Sequence, residues 1–185
     1  MFAKIEGQDS SDEPGRRPES SSGPQTVDER TFRRVTGLFP TGVTVITTRM
    51  ANGLHGLTVS AFSPVSWQPP LVLACIESLS QSCDAIRDSG IFAVNFLSDL
   101  QEFMAERFAG RAPQVNPQFE GVPHHFEATG APILDGALAW LDCRVEQVIQ
   151  TGDHTVFLGR VAALGEGAPG NALVYFARQY RRVEP

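Results

Sequence analysis

The sequence predicts a mainly β protein, a mostly antiparallel barrel with peripheral helices, and three observations carry that prediction. β-Branched and aromatic runs recur as six or seven short strands, against two or three helical patterns. Strand–turn–strand order outweighs strand–helix–strand order, which disfavours a doubly wound parallel sheet. The breaks between strands carry turn chemistry, as in Ala51-Asn52-Gly53 and Thr151-Gly152-Asp153. With 185 residues and 42% hydrophobic side chains, the chain can form one domain with a sizeable core plus an appendage.

The appendage comes first. Residues 6–26 contain no Ala, Val, Leu, Ile, Met, Cys or aromatic side chain. Such a segment buries too little apolar surface to offset its ordering entropy. Residues 1–27 therefore read as a disordered polar leader and residues 28–185 as the folded domain. Asp28 is the expected N-cap of a short helix in which Phe32, Val35 and Phe39 recur at helical spacing, ended by Pro40-Thr41-Gly42.

Val43 to Thr48 is a β-branched run and reads as a strand. A second strand spans Gly56 to Phe62. Leu71 to Ile76 is apolar on both faces, which predicts a central strand. Ser80 to Ser89 reads as a helix capped by Ser80 or Ser82 and stopped at Gly90. Phe92 to Leu97 is a further strand. Asp99 is the expected cap of another helix, with Leu100, Phe103, Met104 and Phe108 on one face and Gly110 at its end. Arg111 to Gly130 reads as a long surface loop. Leu138 to Val148 and Thr155 to Leu164 are β-rich, residues 165–170 form a flexible loop, and Leu173 to Phe176 is the last strand.

Composition narrows function. The net charge is −6 and there is no basic stripe, which argues against nucleic acid as a partner. The longest apolar run, Leu71 to Ile76, is far short of the roughly 20 residues of a membrane helix. No apolar stretch follows Met1 to Ile5, so no secretory signal is expected. Cys75, Cys83 and Cys143 are odd in number and lack CxxC spacing, which predicts thiols rather than a disulfide framework and a cytoplasmic protein. No GxGxxG, P-loop, GxSxG or HExxH pattern is present. Adjacent His124 and His125 point opposite ways on an extended chain, so no metal site is predicted.

Three segments can carry chemistry. Thr58 to Ser66 alternates small hydroxylated and apolar residues, a surface that suits a flat ligand and equally a half-exposed strand. Glu77-Ser78-Leu79-Ser80-Gln81-Ser82 precedes a helix, where serines either complete an anion cradle or simply cap. Arg107 would add a cation there, or lie solvated at a helix end. Thr151-Gly152-Asp153-His154-Thr155 places an imidazole on an exposed turn, over a pocket or merely in solvent.

Taken together, four stretches resemble the short-chain flavin reductase family, the reductase components of two-component flavin-dependent monooxygenases. They are Phe39 to Thr48, His55 to Phe62 with Pro69 to Leu73, Phe92 to Leu97, and Gly152 to Thr155, in the family's order and spacing. The resemblance implies an FMN-binding split barrel, usually a homodimer. It implies that Leu54, His55, Gly56, Leu57, Thr58, Ser60 and Ala61 line the flavin ring. Cys75, Ile76, Glu77, Gln81 and Ser82 would hold the ribityl phosphate, with Arg107 and Phe108 closing that side. Gly152, Asp153, His154 and Thr155 would form the nicotinamide-side motif, with His154 the residue that positions the reduced pyridine ring.

The implied activity is reduction of FMN or FAD by NADH or NADPH, supplying reduced flavin to a partner monooxygenase. Two other readings stay open on the residues alone. One is a tightly held prosthetic flavin acting on its own substrate, and the other a flavin- or haem-binding module without turnover.

Overall fold

The structure is a computed structural model that describes residues 27–111 and 118–183, so residues 1–26 of the predicted leader lie outside the described residues. The ordered chain opens with α1 (Glu29–Thr36), whose N-cap Asp28 accepts from the Thr31 amide at 2.9 Å. Strands β1 (Thr41–Gly42), β2 (Thr44–Met50), β3 (Gly53–Val59), β4 (Phe62–Trp67) and β5 (Pro70–Glu77) follow. Helix α2 (Gln81–Ser89) leads to β6 (Ile91–Phe96), and a 3₁₀ turn leads into α3 (Glu102–Phe108). A small ladder of β7 (His124–Phe126) and β8 (Pro132–Leu134) precedes the long hairpin of β9 (Ala139–Thr151) and β10 (His154–Glu166). Strands β11 (Leu173–Phe176) and β12 (Gln179–Arg182) come last.

Seven strands form one antiparallel sheet in the order β3-β2-β6-β9-β10-β5-β4. Its two edges, β3 and β4, are consecutive in sequence and joined only by Ser60-Ala61. A flat seven-stranded sheet would hold its edges about 29 Å apart. The link from Val59 to Phe62 spans at most about 11 Å. The sheet must therefore curl until its edges meet at that corner, where the Ala61 carbonyl accepts from the Cys75 amide at 2.9 Å. The result is a barrel closed at one corner and open beyond it, the expected split barrel. The predicted strand over Gly56 to Phe62 is thus broken at Ser60-Ala61, because this is where the chain turns from one edge to the other.

The barrel interior is filled by Ile46, Ile76, Phe92, Val94 and Phe157, all essentially inaccessible to solvent. Each such side chain contributes about 1.5–3 kcal/mol of burial. Strand β5 lies second from an edge rather than at the centre. Val72, Ala74 and Ile76 face the core while Leu71, Leu73 and Cys75 are only half-buried. Strands β2 and β6 are enclosed on both faces, with Thr44 to Thr48 and Phe92 to Asn95 all buried; β6 also carries a buried polar side chain. Its Asn95 is satisfied: the side-chain amide donates to the Val45 carbonyl at 3.0 Å and accepts from the Leu134 amide at 2.7 Å.

The helices differ from expectation in what they bury. No residue of α1 is buried, and Phe32, Val35 and Phe39 are exposed because nothing among the described residues of one chain covers that stripe. Ser80 caps α2 and Gly90 ends it in the left-handed conformation, as predicted. At α3 the N-cap of the leading turn is Ser98 rather than Asp99, and the Gln101 side chain accepts from the Ser98 amide at 3.1 Å. Ala105 and Phe108 are buried while Leu100 and Phe103 face solvent, since Phe103 and Phe108, five residues apart, lie about 140° from each other around α3. The predicted loop from Arg111 to Gly130 includes β7, and its residues 112–117 lie outside the described residues. Strands β1, β8 and β12 were not foreseen either.

Candidate functional site

The site begins at the tip of the β9–β10 hairpin. Gly152 turns the chain there at φ +59°, a left-handed conformation that a side chain would strain. The β5–β10 ladder then pairs His154 with Glu77, Thr155 with Ile76 and Val156 with Cys75. Register alone therefore brings two predicted groups side by side, Cys75-Ile76-Glu77 and Gly152-Asp153-His154-Thr155. Ser78 locks the tip. Its amide donates to the Asp153 carbonyl at 2.9 Å, and its hydroxyl shares a 2.9 Å hydrogen bond with Thr155 Oγ1.

Thr155 is buried in this arrangement, whereas the His154 imidazole is half exposed. His154 Nδ1 lies 2.8 Å from Asp153 Oδ1. An ionised carboxylate only accepts, so this contact keeps a proton on Nδ1 and leaves Nε2 for a ligand. The hydrogen bond from His154 in turn holds the Asp153 carboxyl below the usual carboxylate range.

The second wall is strand β3. As an edge strand it presents every other peptide group outward. The Gln118 side chain takes both outward groups of Gly56, accepting from its amide and donating to its carbonyl, each at 2.9 Å. The same parity turns the Thr58 amide to that edge. Gly56 is required for another reason: a Cβ there would stand 2.8 Å from ring carbons of Phe108. Phe108 itself packs on Phe119 with ring centroids 5.2 Å apart. The Thr58 hydroxyl donates to the Ala105 carbonyl at 2.6 Å, which fastens β3 to α3. Leu54 and Leu57 are half-buried on the same strand, and Ser60 and Ala61 are exposed at the corner.

His55 connects this wall to α2. Its Nε2 lies 2.7 Å from Ser82 Oγ, and burial pushes its pKa down, so the imidazole is neutral at pH 7. Gln81 next to it is exposed. The capping of α2 falls to Ser80, whose hydroxyl accepts from the Cys83 amide at 3.2 Å. Burial raises the Cys75 thiol, and burial beside Asp142 pushes Cys143 up to about 12. Both therefore stay protonated at neutral pH.

Arg107 is held by loop carbonyls. Its Nη2 donates to the Gln118 and Glu120 carbonyls at 2.8 and 2.6 Å, and its Nε also donates to Gln118. The guanidinium thus holds the loop that carries Gln118. A different arginine, Arg111, lines a cavity of about 100 Å³ together with Thr58, Ser60, Tyr175 and Tyr180. Gln118, Arg111 and the two tyrosines were missed. Each lies on a loop or terminal hairpin, and only long-range packing brings them to β3. His124 and His125 are elsewhere, their Nδ1 atoms on the Val122 carbonyl and on Asp135.

A curled antiparallel barrel with an open edge, a small-residue wall and an imidazole-bearing hairpin beside it defines a flavin-binding split-barrel protein. The chain belongs to the flavin reductase family: its residues 36–184 match the family model described as Flavin reductase like domain. It is 41% identical over 161 residues to the flavin-dependent monooxygenase reductase subunit HsaB of Rhodococcus jostii (strain RHA1), covering 87% of this chain and 81% of HsaB. It is 34% identical over 157 residues to the FMN reductase (NADH) RutF of Ancylobacter novellus, covering 85% of this chain and 86% of RutF. The solved structure of the NADH:FAD oxidoreductase SgcE6 of Streptomyces globisporus C-1027 superposes with a TM-score of 0.79 at 35% identity. That match covers 91% of this chain and all of SgcE6.

Proposed function

We propose that this protein is an NAD(P)H:flavin oxidoreductase that supplies reduced FMN or FAD to a partner flavin-dependent monooxygenase. The observation that carries the reading is the register of the hairpin tip. His154 and Thr155 are zipped onto Ile76 and Glu77, with His55 and Ser82 linking β3 to the helix that follows. In this reading a flat ring lies along β3, and the His154 imidazole at the hairpin tip serves the nicotinamide side. Family membership supports the same chemistry, as do the two relatives named for NADH.

In this reading Leu54, Gly56, Leu57, Thr58, Ser60 and Ala61 line the flavin ring. Gly56 and Ala61 allow close approach, and the outward Thr58 amide is a donor for charge developing on the ring. His55 and Ser82 hold that strand in place. Hydride passes from nicotinamide C4 to flavin N5 when the two rings stack, a step that asks the protein for positioning rather than a proton. His154, oriented by Asp153, offers Nε2 to the nicotinamide side and has no general-base work. Gly152 keeps the tip narrow, and Cys75, Ile76 and Glu77 are the strand on which it is built.

A reductase that serves a partner must let go of its product. Equilibrium dialysis of the protein with FMN, before and after reduction by excess NADH under anaerobic conditions, tests this. Reversible binding in both redox states is expected. Flavin that never dialyses out would instead mark a prosthetic group.

The assembly proposed is a homodimer in the cytoplasm. Its support is the α1 face left uncovered among the described residues, with Phe32 58% exposed, together with Trp67 at 88% on edge strand β4. Large apolar side chains left exposed in this way suit an association surface.

A further inference from the structure

A carboxamide from a loop covers part of the open edge of β3. Gly56 is buried, and both of its outward backbone groups are taken by Gln118. Oε1 accepts from the Gly56 amide and Nε2 donates to its carbonyl, each at 2.9 Å. Gln118 is itself firmly seated. Its carbonyl accepts from Arg107 Nε at 3.1 Å and from Nη2 at 2.8 Å. Phe119 beside it is buried between Phe108 and His124, with ring centroids 5.2 and 5.4 Å away.

That pairing bears on a flavin because of what the ring presents. The pyrimidine end of the isoalloxazine carries C2=O, N3–H and C4=O in a row. A neighbouring carbonyl and N–H of the ring therefore match an outward N–H and C=O of a strand, as a carboxamide does. On an edge strand such outward pairs recur at every second residue, about 7 Å apart. Gly56 and Thr58 are thus two chemically alike docking points on β3, and a slip between them moves the ring by that distance. Hydride transfer tolerates far less, since reacting atoms must approach to about 3–3.5 Å.

We propose that Gln118 is a positioning residue for hydride transfer: by occupying the Gly56 pair, it leaves the outward Thr58 amide as the point on β3 where the pyrimidine edge docks. This rests on the flavin reductase reading above. Gln118 acts through Gly56 and carries no part of the chemistry itself. Its carboxamide suits the task because the pair needs one donor and one acceptor. An ionised carboxylate has acceptors only and would face the Gly56 carbonyl. An aliphatic side chain would leave both buried backbone groups open to the ring edge or to water.

The test uses riboflavin, which has no phosphate to titrate, and the full chain with Gln118→Ala and Gln118→Glu. The readouts are the visible absorption spectrum of bound riboflavin and the rate of its reduction by NADH at saturating riboflavin. Gln118→Ala should alter the bound spectrum and lower that rate about tenfold. Gln118→Glu should match the Ala variant at pH 8. It should regain the wild-type bound spectrum as pH falls towards the carboxyl pKa, about 4.3 in water, because a protonated carboxyl again offers a donor and an acceptor. Wild type and Gln118→Ala should show no such recovery. The Glu variant is compared with itself across pH, so a general loss of stability in the Ala variant does not remove the test. Wild-type spectra and rates in both variants, or a Glu variant whose spectrum never returns, would overturn the proposal. Wild-type protein that binds no flavin would instead remove the reductase reading itself.

Discussion

Gln118 clamps Gly56 by a reciprocal pair of hydrogen bonds, each 2.9 Å, between one side-chain amide and the N–H and C=O of one residue of an edge strand. The clamp caps an edge that would otherwise be open to strand addition. It also sets how far β3 stands from α3, since Phe108 lies directly over the missing Gly56 side chain. Gly56→Ala is therefore expected to destabilise the fold by about 1–3 kcal/mol through overpacking. Flavin affinity should fall with it. Urea unfolding and an FMN titration check the two effects.

His154→Ala removes the imidazole and leaves the β5–β10 ladder intact. The expected outcome is an increase of about tenfold in KM for NADH, with the FMN Kd within about twofold. Asp153→Asn should give a smaller change in the same direction, because the imidazole loses its orienting carboxylate but keeps its place. Steady-state kinetics with both substrates varied separates these effects.

Stability should depend on pH through His55. Its folded pKa is lowered by burial, so below about 6.5 the unfolded chain takes up a proton that the native chain does not. Stability present above that pH is lost as pH falls towards the folded pKa. His55→Gln should flatten the slope of unfolding free energy below about pH 6.5 relative to wild type. Denaturation series across that range measure it.

The β11–β12 turn puts Ala177 at φ 49° and Arg178 at φ 65°, left-handed conformations in residues that disfavour them. An Asn-Gly pair suits a two-residue turn of this kind. The double change Ala177→Asn, Arg178→Gly is expected to stabilise by about 1 kcal/mol and raise Tm by about 2–4 °C. Calorimetry is the check, and activity should be unchanged.

The sequence made local features legible, because a capping serine, a turn glycine or an alternating run acts within a few residues. Ser80, Gly90 and the β9–β10 hairpin stand where such signals put them. What depends on distant partners was hidden. The Asp28 cap was readable, but not that Phe32 and Val35 find no cover among the described residues. β12 lacks a β-branched run in Gln179-Tyr180-Arg181-Arg182 and is held as a strand only by β11. The hairpin tip was legible because its residues are contiguous. The cavity was not, since residues 58, 111, 175 and 180 meet only after the barrel closes. The Arg107 contacts were not legible either, because a helix-end arginine looks the same in sequence whatever its donors meet.

The central claim is that hydride moves from a nicotinamide nucleotide to a flavin that comes and goes. The most direct measurement is the loss of NADH absorbance by purified, flavin-free protein, with and without added FMN or FAD. The account predicts negligible oxidation alone and a rate that saturates with added flavin. NADH oxidation that is unchanged by added flavin, or absent even when flavin is supplied, would contradict it.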